Sequence, residues 1–270
     1  VKNLILGAAI GYRPKNINTF VKSFRRYNEV DDVFLLVYKN IDDEWKTKDF
    51  LKEHNINYLV CDETYVKGAS INNTRYFKYL EFLHKNEYSK VFLTDVRDVV
   101  FQKNPFDELP NDNFLFFFEE DRSEVIGNNT YTDYWITQSF GETVLSELNG
   151  NPIICSGTTF GSYKNILFYL IKMNNLLNVI KIQKPETYKI IGLDQGVHNY
   201  IAYKENELFN GFKIKENGDI VATVGITSEN NPNDITIKDD VLYLKDYYPA
   251  IVHQYDRNPE LEKPLNTIYN

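Results

Sequence analysis

Apolar and amphipathic blocks alternate from the start of the chain. Residues 4–9 (LILGAA) are a short apolar run, residues 16–27 place Ile17, Phe20, Val21 and Phe24 at helical spacing, and residues 33–38 (VFLLVY) are apolar throughout. A continuous apolar run between polar segments predicts a strand covered on both faces, whereas apolar positions recurring every three to four residues predict a helix with one buried face. The pattern repeats as a helix over 43–53, a strand over 57–61, a helix over 73–85 with Tyr76, Phe77, Leu80 and Leu83 on one face, and a strand over 91–94. Such alternation predicts an α/β fold with a mostly parallel sheet flanked by helices.

The second half is less regular. Residues 114–118 predict a strand ending in Glu119, Glu120 and Asp121, and residues 141–148 a helix. The stretch NPIICSGTTFGSYKNILFYLIKMNNLL predicts a short strand, a Ser/Gly/Thr-rich loop and a helix over 164–177, with another helix over 195–203. Beyond it, Gly211, Gly218 and Gly225 punctuate short segments (GFKI, DIVATVG, VLYLK) that read as short strands and hairpins. No linker, repeat or low-complexity tract divides the sequence, so residues 1–270 are expected to form one domain.

Composition narrows the class. With 43% hydrophobic residues in 270, the chain can bury a sizeable core. A net charge of −8 argues against a nucleic-acid backbone as partner, though not against a local basic pocket for phosphates. Cys61 and Cys155 stand in apolar surroundings and are too few for a disulfide scaffold, which suits a reducing compartment and a cytoplasmic location. The first apolar run passes into Gly, Tyr, Arg and Pro without a cleavage-like end and is read as a strand. No run reaches the roughly 18 apolar residues of a membrane span. The chain has no GxGxxG after its first strand, no Walker loop and no HExxH, CxxC or GxSxG, which argues against hydride transfer, nucleoside-triphosphate hydrolysis and serine hydrolysis.

The chemistry-bearing stretch is VFLTDVRDVVFQKNPF, where Asp95 and Asp98 follow an apolar strand. Ligands in open α/β sheets bind outside the carboxyl ends of the strands. Acids at that place serve either as turn formers, bonding the backbone, or as oxygen ligands for a hard divalent cation such as Mn²⁺ or Mg²⁺. Of the four histidines, His54 and His84 sit at helix ends as surface or capping residues. His198, beside Asp194 and Gln195, is as readily structural as pocket-lining. His253, in AIVHQYDRNP, directly follows an apolar run and is the candidate third ligand.

With these segments in order, the chain resembles the GT-A type glycosyltransferases, in which an Asp-any-Asp motif at a strand end carries a divalent metal bridging the diphosphate of a nucleotide-sugar. FLTDVRDVVFQKNPF resembles that strand, turn and following NP segment. Counting back from Pro105 places Asp98 at the second Asp of the motif, while the first falls at Val96, so Asp95 is displaced by one position. NNTRYFKYLEFL resembles the helix whose Arg approaches the nucleotide, which implies that role for Arg75. CSGTTFGS resembles the segment under donor and acceptor, implying sugar contacts from Ser156, Gly157 and Thr158. GLDQGVHNYI resembles the segment whose Asp and Gln face the transferred sugar or acceptor, implying Asp194 and Gln195. VHQYDR resembles the closing segment that supplies a metal-binding His, implying His253 as partner of Asp98.

The resemblance further implies Mn²⁺ or Mg²⁺ as cofactor, a nucleotide-sugar donor with uridine favoured, and a hydroxyl of a glycan or other acceptor. Tyr12 would stack on the base, Arg13 would approach phosphate and Arg97 would stand beside the diphosphate. The proton of the acceptor would go to Asp194 or Glu120, with Gln195 an alternative group on the sugar. Residues of about 1–110 would bind the donor, and those of about 111–270 would bind the acceptor and close over the site. Two other functions stay open: a sugar-1-phosphate nucleotidyltransferase, for which GAAIGYRPKN is a poor phosphate loop, and a noncatalytic carbohydrate- or nucleotide-binding protein.

Overall fold

A computed structural model describes every residue except 40–45, 63–68, 112 and 270. The first half is the expected alternation: β1 (Leu4–Ala8), α1 (Pro14–Tyr27), β2 (Asp32–Tyr38), α2 (Thr47–Glu53), β3 (Asn57–Cys61), α3 (Ile71–Leu83) and β4 (Lys90–Thr94). Residues 43–45 of the expected second helix lie outside the described residues. Helix α1 begins two residues before its amphipathic pattern, because Pro14 fits the first helical turn, where its missing N–H costs nothing, and Asn16 Oδ1 accepts from Arg13 N at 3.1 Å.

A short strand β5 (Val99–Phe101) follows, then β6 (Leu115–Glu119), α4 (Thr130–Phe140), α5 (Glu142–Leu148), β7 (Ile154–Ser162), α6 (Tyr163–Gln183) and α7 (Leu193–Lys204). The remainder comprises β8 (Phe212–Lys215), β9 (Val221–Thr223), α8 (Gly225–Asn230), β10 (Ile235–Lys238), β11 (Val241–Leu244), β12 (Ile251–His253) and α9 (Pro259–Ile268).

Seven strands form one sheet in the order β3-β2-β1-β4-β7-β6-β8. Parallel pairings join β3 to β2, β2 to β1, β1 to β4 and β6 to β8, while β7 runs antiparallel to both of its neighbours. Both faces are covered. One buries Phe20, Val21 and Phe24 of α1 with Phe92, Phe116, Phe118 and Phe160 of the sheet; the other buries Tyr76, Tyr169, Met173 and Val197 of the helices. Phe92 and Phe160 stack across the β4–β7 pair at 3.8 Å. Each such large side chain taken fully out of water stabilises the fold by roughly 1.5–3 kcal/mol.

A second sheet, β5-β12-β9, packs its Phe101 and Ile251 into the first core, and β10 and β11 form a separate hairpin. The hairpin turns at Asp239 and Asp240, both at positive φ (49° and 63°), as a tight primed turn requires. No described helix is long and apolar enough to cross a membrane.

The expected Ser/Gly/Thr-rich loop is instead the body of the nine-residue strand β7. Its glycines mark close approaches rather than a turn: a Cβ at Gly161 would stand 3.0 Å from Ile166 and 3.1 Å from Leu115. Helices α4 and α9 were not expected from the sequence. The aromatic run TYTDYWITQSF lacks a clean apolar period, and Pro264 lies inside α9, yet Asn129 and Asn258 each cap the first turn by accepting from a backbone N–H.

Candidate active site

The acidic turn lies at the carboxyl end of β4, in the middle of the sheet. Gly7 of β1 makes room for it, since a Cβ there would fall 2.4 Å from Val96 Cγ2. Asp95 N donates to Gly157 O at 2.8 Å, which ties the turn to β7. Directly after Asp98 the chain enters β5, and the antiparallel register places His253 opposite Val99. Gln254 N then donates to Asp98 O at 2.9 Å. A backbone ladder therefore brings together Asp98 and a histidine 155 residues away, counting from 98 to 253.

His253 Nε2 lies 3.5 Å from Asp95 Oδ2 and 3.7 Å from Asp98 Oδ1. One ligand atom from each of the three residues falls within 4.8 Å of the others. Among the described residues Nε2 is buried without a hydrogen-bond partner, as several other polar atoms are, His198 Nε2 included, but it faces two carboxylates. Two carboxylates and an imidazole form a mostly oxygen donor set, so the three residues fit a divalent cation such as Mn²⁺ or Mg²⁺.

Charge at the cluster points the same way. Burial works against an imidazolium, but Cys155, Asp98 and Asp95 beside the ring together hold the His253 pKa well above the ordinary histidine range. Burial pushes the Asp98 carboxyl up. At Asp95 the push of burial is overcome by Arg75, which holds that carboxyl well below the usual range. A positive charge is favoured at this point; a divalent cation held by these three residues would supply one, with His253 neutral.

Arg75, on α3 and buried, is shared between two carboxylates: Nη1 pairs with Asp95 Oδ1 and Nη2 with Asp194 Oδ2 at 3.0 Å. Tyr76 Oη also donates to Asp194 Oδ2 at 3.0 Å, and Asp194 N donates to Asn73 Oδ1 at 3.2 Å. Burial pushes the Asp194 carboxyl up in spite of Arg75, and its Oδ1 has no partner among the described residues. Ser156 Oγ, 3.3 Å from Asp194 Oδ2, leads on to Gln195 Oε1 at 3.4 Å, and Gln195 Nε2 donates to Glu120 Oε1 at 3.0 Å. A continuous polar chain thus runs from Asp95 to Glu120.

A polar cavity of ≈ 390 Å³ opens on the turn. Tyr12, Arg75, Asp95, Arg97 and Asp98 line it, together with Ala8 and Val96. Ile71, Asn72, Ile191 and Arg257 also form its wall and carry no signal of their own in the motifs. Ile71, Asn72 and Arg75 lie at i, i+1 and i+4 of α3, so helical spacing from Arg75 was the available signal. Arg97 pairs with Asp256 at 2.9 Å while remaining half exposed. Arg13 caps α1 and is exposed, and it does not line this cavity. Thr158 is fully buried within the sheet, opposite Thr94. His198 is also fully buried, bonded through Nδ1 to Tyr169 Oη at 2.8 Å, and is structural. Tyr76, Asn73 and Cys155 carry site contacts that no sequence signal marks, because each arises where separate elements meet.

No protein-family model matches the chain, and no curated protein sequence matches it. Solved structures do. The apo-form glycosyltransferase GlyE of Streptococcus pneumoniae TIGR4 superposes with a TM-score of 0.54 at 16% identity, over 94% of this chain and 54% of that one. A second GlyE crystal structure gives 0.52 at 16%, over 93% and 55%. An active-site Gln-to-Glu mutant of LgtC gives 0.53 at 15%, over 93% of this chain and 86% of that one. The chain spans about half the length of the GlyE chains it matches. At such identities the likeness establishes the fold: a mixed, mostly parallel sheet flanked by helices, of the GT-A, Rossmann-like type found in these glycosyltransferases.

Proposed function

We propose that the protein is a metal-dependent glycosyltransferase that moves a sugar from a nucleoside diphosphate donor, a uridine diphosphate sugar in particular, to a hydroxyl of a glycan or other acceptor. The observation that carries this is the Asp95/Asp98/His253 cluster, with its unpartnered Nε2, beside a polar cavity at the carboxyl edge of a GT-A sheet.

Asp95 Oδ2, Asp98 and His253 Nε2 would hold Mn²⁺ or Mg²⁺. When bound, that cation neutralises charge on the donor diphosphate and on the leaving group. Tyr12 offers its ring to the base, and Arg97 and Arg257 face the phosphates from the cavity wall. Arg75 acts mainly by fixing Asp95 and Asp194, since its guanidinium is shared between them.

The proton of the acceptor hydroxyl would go to Glu120, which lines a second cavity, or to Asp194, which burial raises in pKa but which is 1% exposed and lines neither cavity. Gln195 and Ser156 orient Asp194 and the transferred sugar; an active-site glutamine is also what the LgtC mutant replaces. Glu120 ends the polar chain at that second cavity, of ≈ 490 Å³, whose wall includes Arg122, Glu216, Lys245 and Tyr247. Charged groups of both signs and an aromatic ring suit a hydroxyl-rich acceptor. Donor binding would fall mainly to residues of about 1–110, joined by His253 and Arg257 of the closing segment, and acceptor binding and closure to about 111–270.

A panel of nucleotide-sugars tested with Mn²⁺ for thermal stabilisation checks this, because a ligand that binds only the folded state raises its apparent stability. One uridine diphosphate sugar should stabilise selectively, only with metal, and its sugar should pass to a member of an acceptor panel. No stabilisation by any nucleotide-sugar would overturn the proposal. Pyrophosphate release from a nucleoside triphosphate and a sugar 1-phosphate would show a nucleotidyltransferase instead, and donor binding without transfer a noncatalytic binder.

A further inference from the structure

His253 has two ring nitrogens, and only Nε2 faces the carboxylates. Nδ1 points the opposite way, into the sheet, where Cys155 Sγ stands 3.5 Å from it. Cys155 is 1% exposed and lies near the start of β7, and Gln254 Nε2 approaches the same sulfur at 3.9 Å. Two residues further along β7, Gly157 leaves the space that the imidazole and Asp95 occupy: a Cβ there would fall 2.5 Å from His253 Cε1 and 2.6 Å from Asp95 Oδ2. Between them, Ser156 turns to Asp194 and Gln195.

We infer that Cys155 is a positioning residue for the metal site, accepting the Nδ1–H of His253 so that Nε2 is presented as the neutral ligand. This rests on the metal-binding part of the function proposed above. An imidazole that binds a cation through one nitrogen carries its proton on the other, and the partner of that N–H fixes both tautomer and ring orientation. The sulfur is buried, so water does not compete with it for the Nδ1–H. It is not itself a ligand, since the imidazole separates it from the two carboxylates.

The test is Mn²⁺ titration of the whole protein by calorimetry, with C155A and C155S beside the parent, together with Co²⁺ absorption spectra. C155A should bind Mn²⁺ about 10- to 100-fold more weakly, in line with the loss of such outer partners, and C155S should recover part of that because its hydroxyl also accepts from Nδ1. Thermal unfolding of the metal-free variants separates this from general damage, and C155S, nearly isosteric, keeps the test informative if C155A fails to fold. Unchanged Mn²⁺ affinity in both variants would overturn the role of Cys155 alone. A thiolate-to-cobalt charge-transfer band in the parent, lost in C155A, would overturn it by showing a direct ligand. Absence of Mn²⁺ binding by the parent would remove the metal site and this inference with it.

Discussion

Gly157 shows how narrowly the site is fitted. Its missing side chain is where His253 Cε1 and Asp95 Oδ2 lie, and neither neighbour is free to move: His253 is 1% exposed and held in β12, and Asp95 is paired with Arg75. Gly157→Ala is expected to cost about 1–3 kcal/mol, the usual range for overpacking, and to abolish Mn²⁺ binding by parting the imidazole from the carboxylate. Urea unfolding and metal titration measure the two effects. A variant with parent-like stability and metal affinity would show that the strand yields more readily than these contacts imply. At this scale Asp95, Asp98 and His253 were legible in the sequence because an acidic turn after a strand and a histidine after an apolar run carry their own signal. Cys155 was not, because after Ile153 and Ile154 it looks like an ordinary core residue and its partner lies 98 positions away.

Among the elements, the C-terminal helix α9 supports the metal ligand indirectly. Leu261 and Leu265 pack with Val252 and Tyr255, the residues on either side of His253 and Gln254, and Thr19 Oγ1 donates to Asn266 Oδ1 at 2.6 Å, which ties α9 to α1. Leu265→Ala, at a position 1% exposed, is expected to destabilise the protein by roughly 2–5 kcal/mol, read from the denaturation midpoint. A loss under about 0.5 kcal/mol, typical of a surface position, would contradict this packing. Helix α9 was illegible because Pro264 breaks the interior hydrogen-bond ladder, and only tertiary burial of its two leucines outweighs that cost. Strand β7 is masked in the sequence for a related reason. Its Ser, Gly and Thr have loop composition, but pairing on both sides with β4 and β6 satisfies their backbone groups. By contrast, β1 through β4 and their helices were legible because buried parallel strands and amphipathic helices write their periods directly into sequence.

For the molecule as a whole, the candidate site exists only where distant parts of the chain converge. The acidic turn ends a strand of the seven-stranded sheet, His253 arrives on the three-stranded sheet, and Asp194 opens a helix that packs on the opposite face of the main sheet from α1. The resemblance implied that Asp98 and His253 meet, but the register of β12 against β5 that brings them together is not written in either segment. The most direct measurement is the anomalous diffraction signal from crystals soaked with Mn²⁺ and uridine diphosphate. The metal peak is expected within about 2.0–2.4 Å of a carboxylate oxygen of Asp98 and of His253 Nε2, with Asp95 on the same ion and the diphosphate in the cavity beside Arg97. A fully occupied Mn²⁺ elsewhere, or nucleotide density with no metal at these three residues, would contradict a metal-dependent glycosyltransferase built on this site.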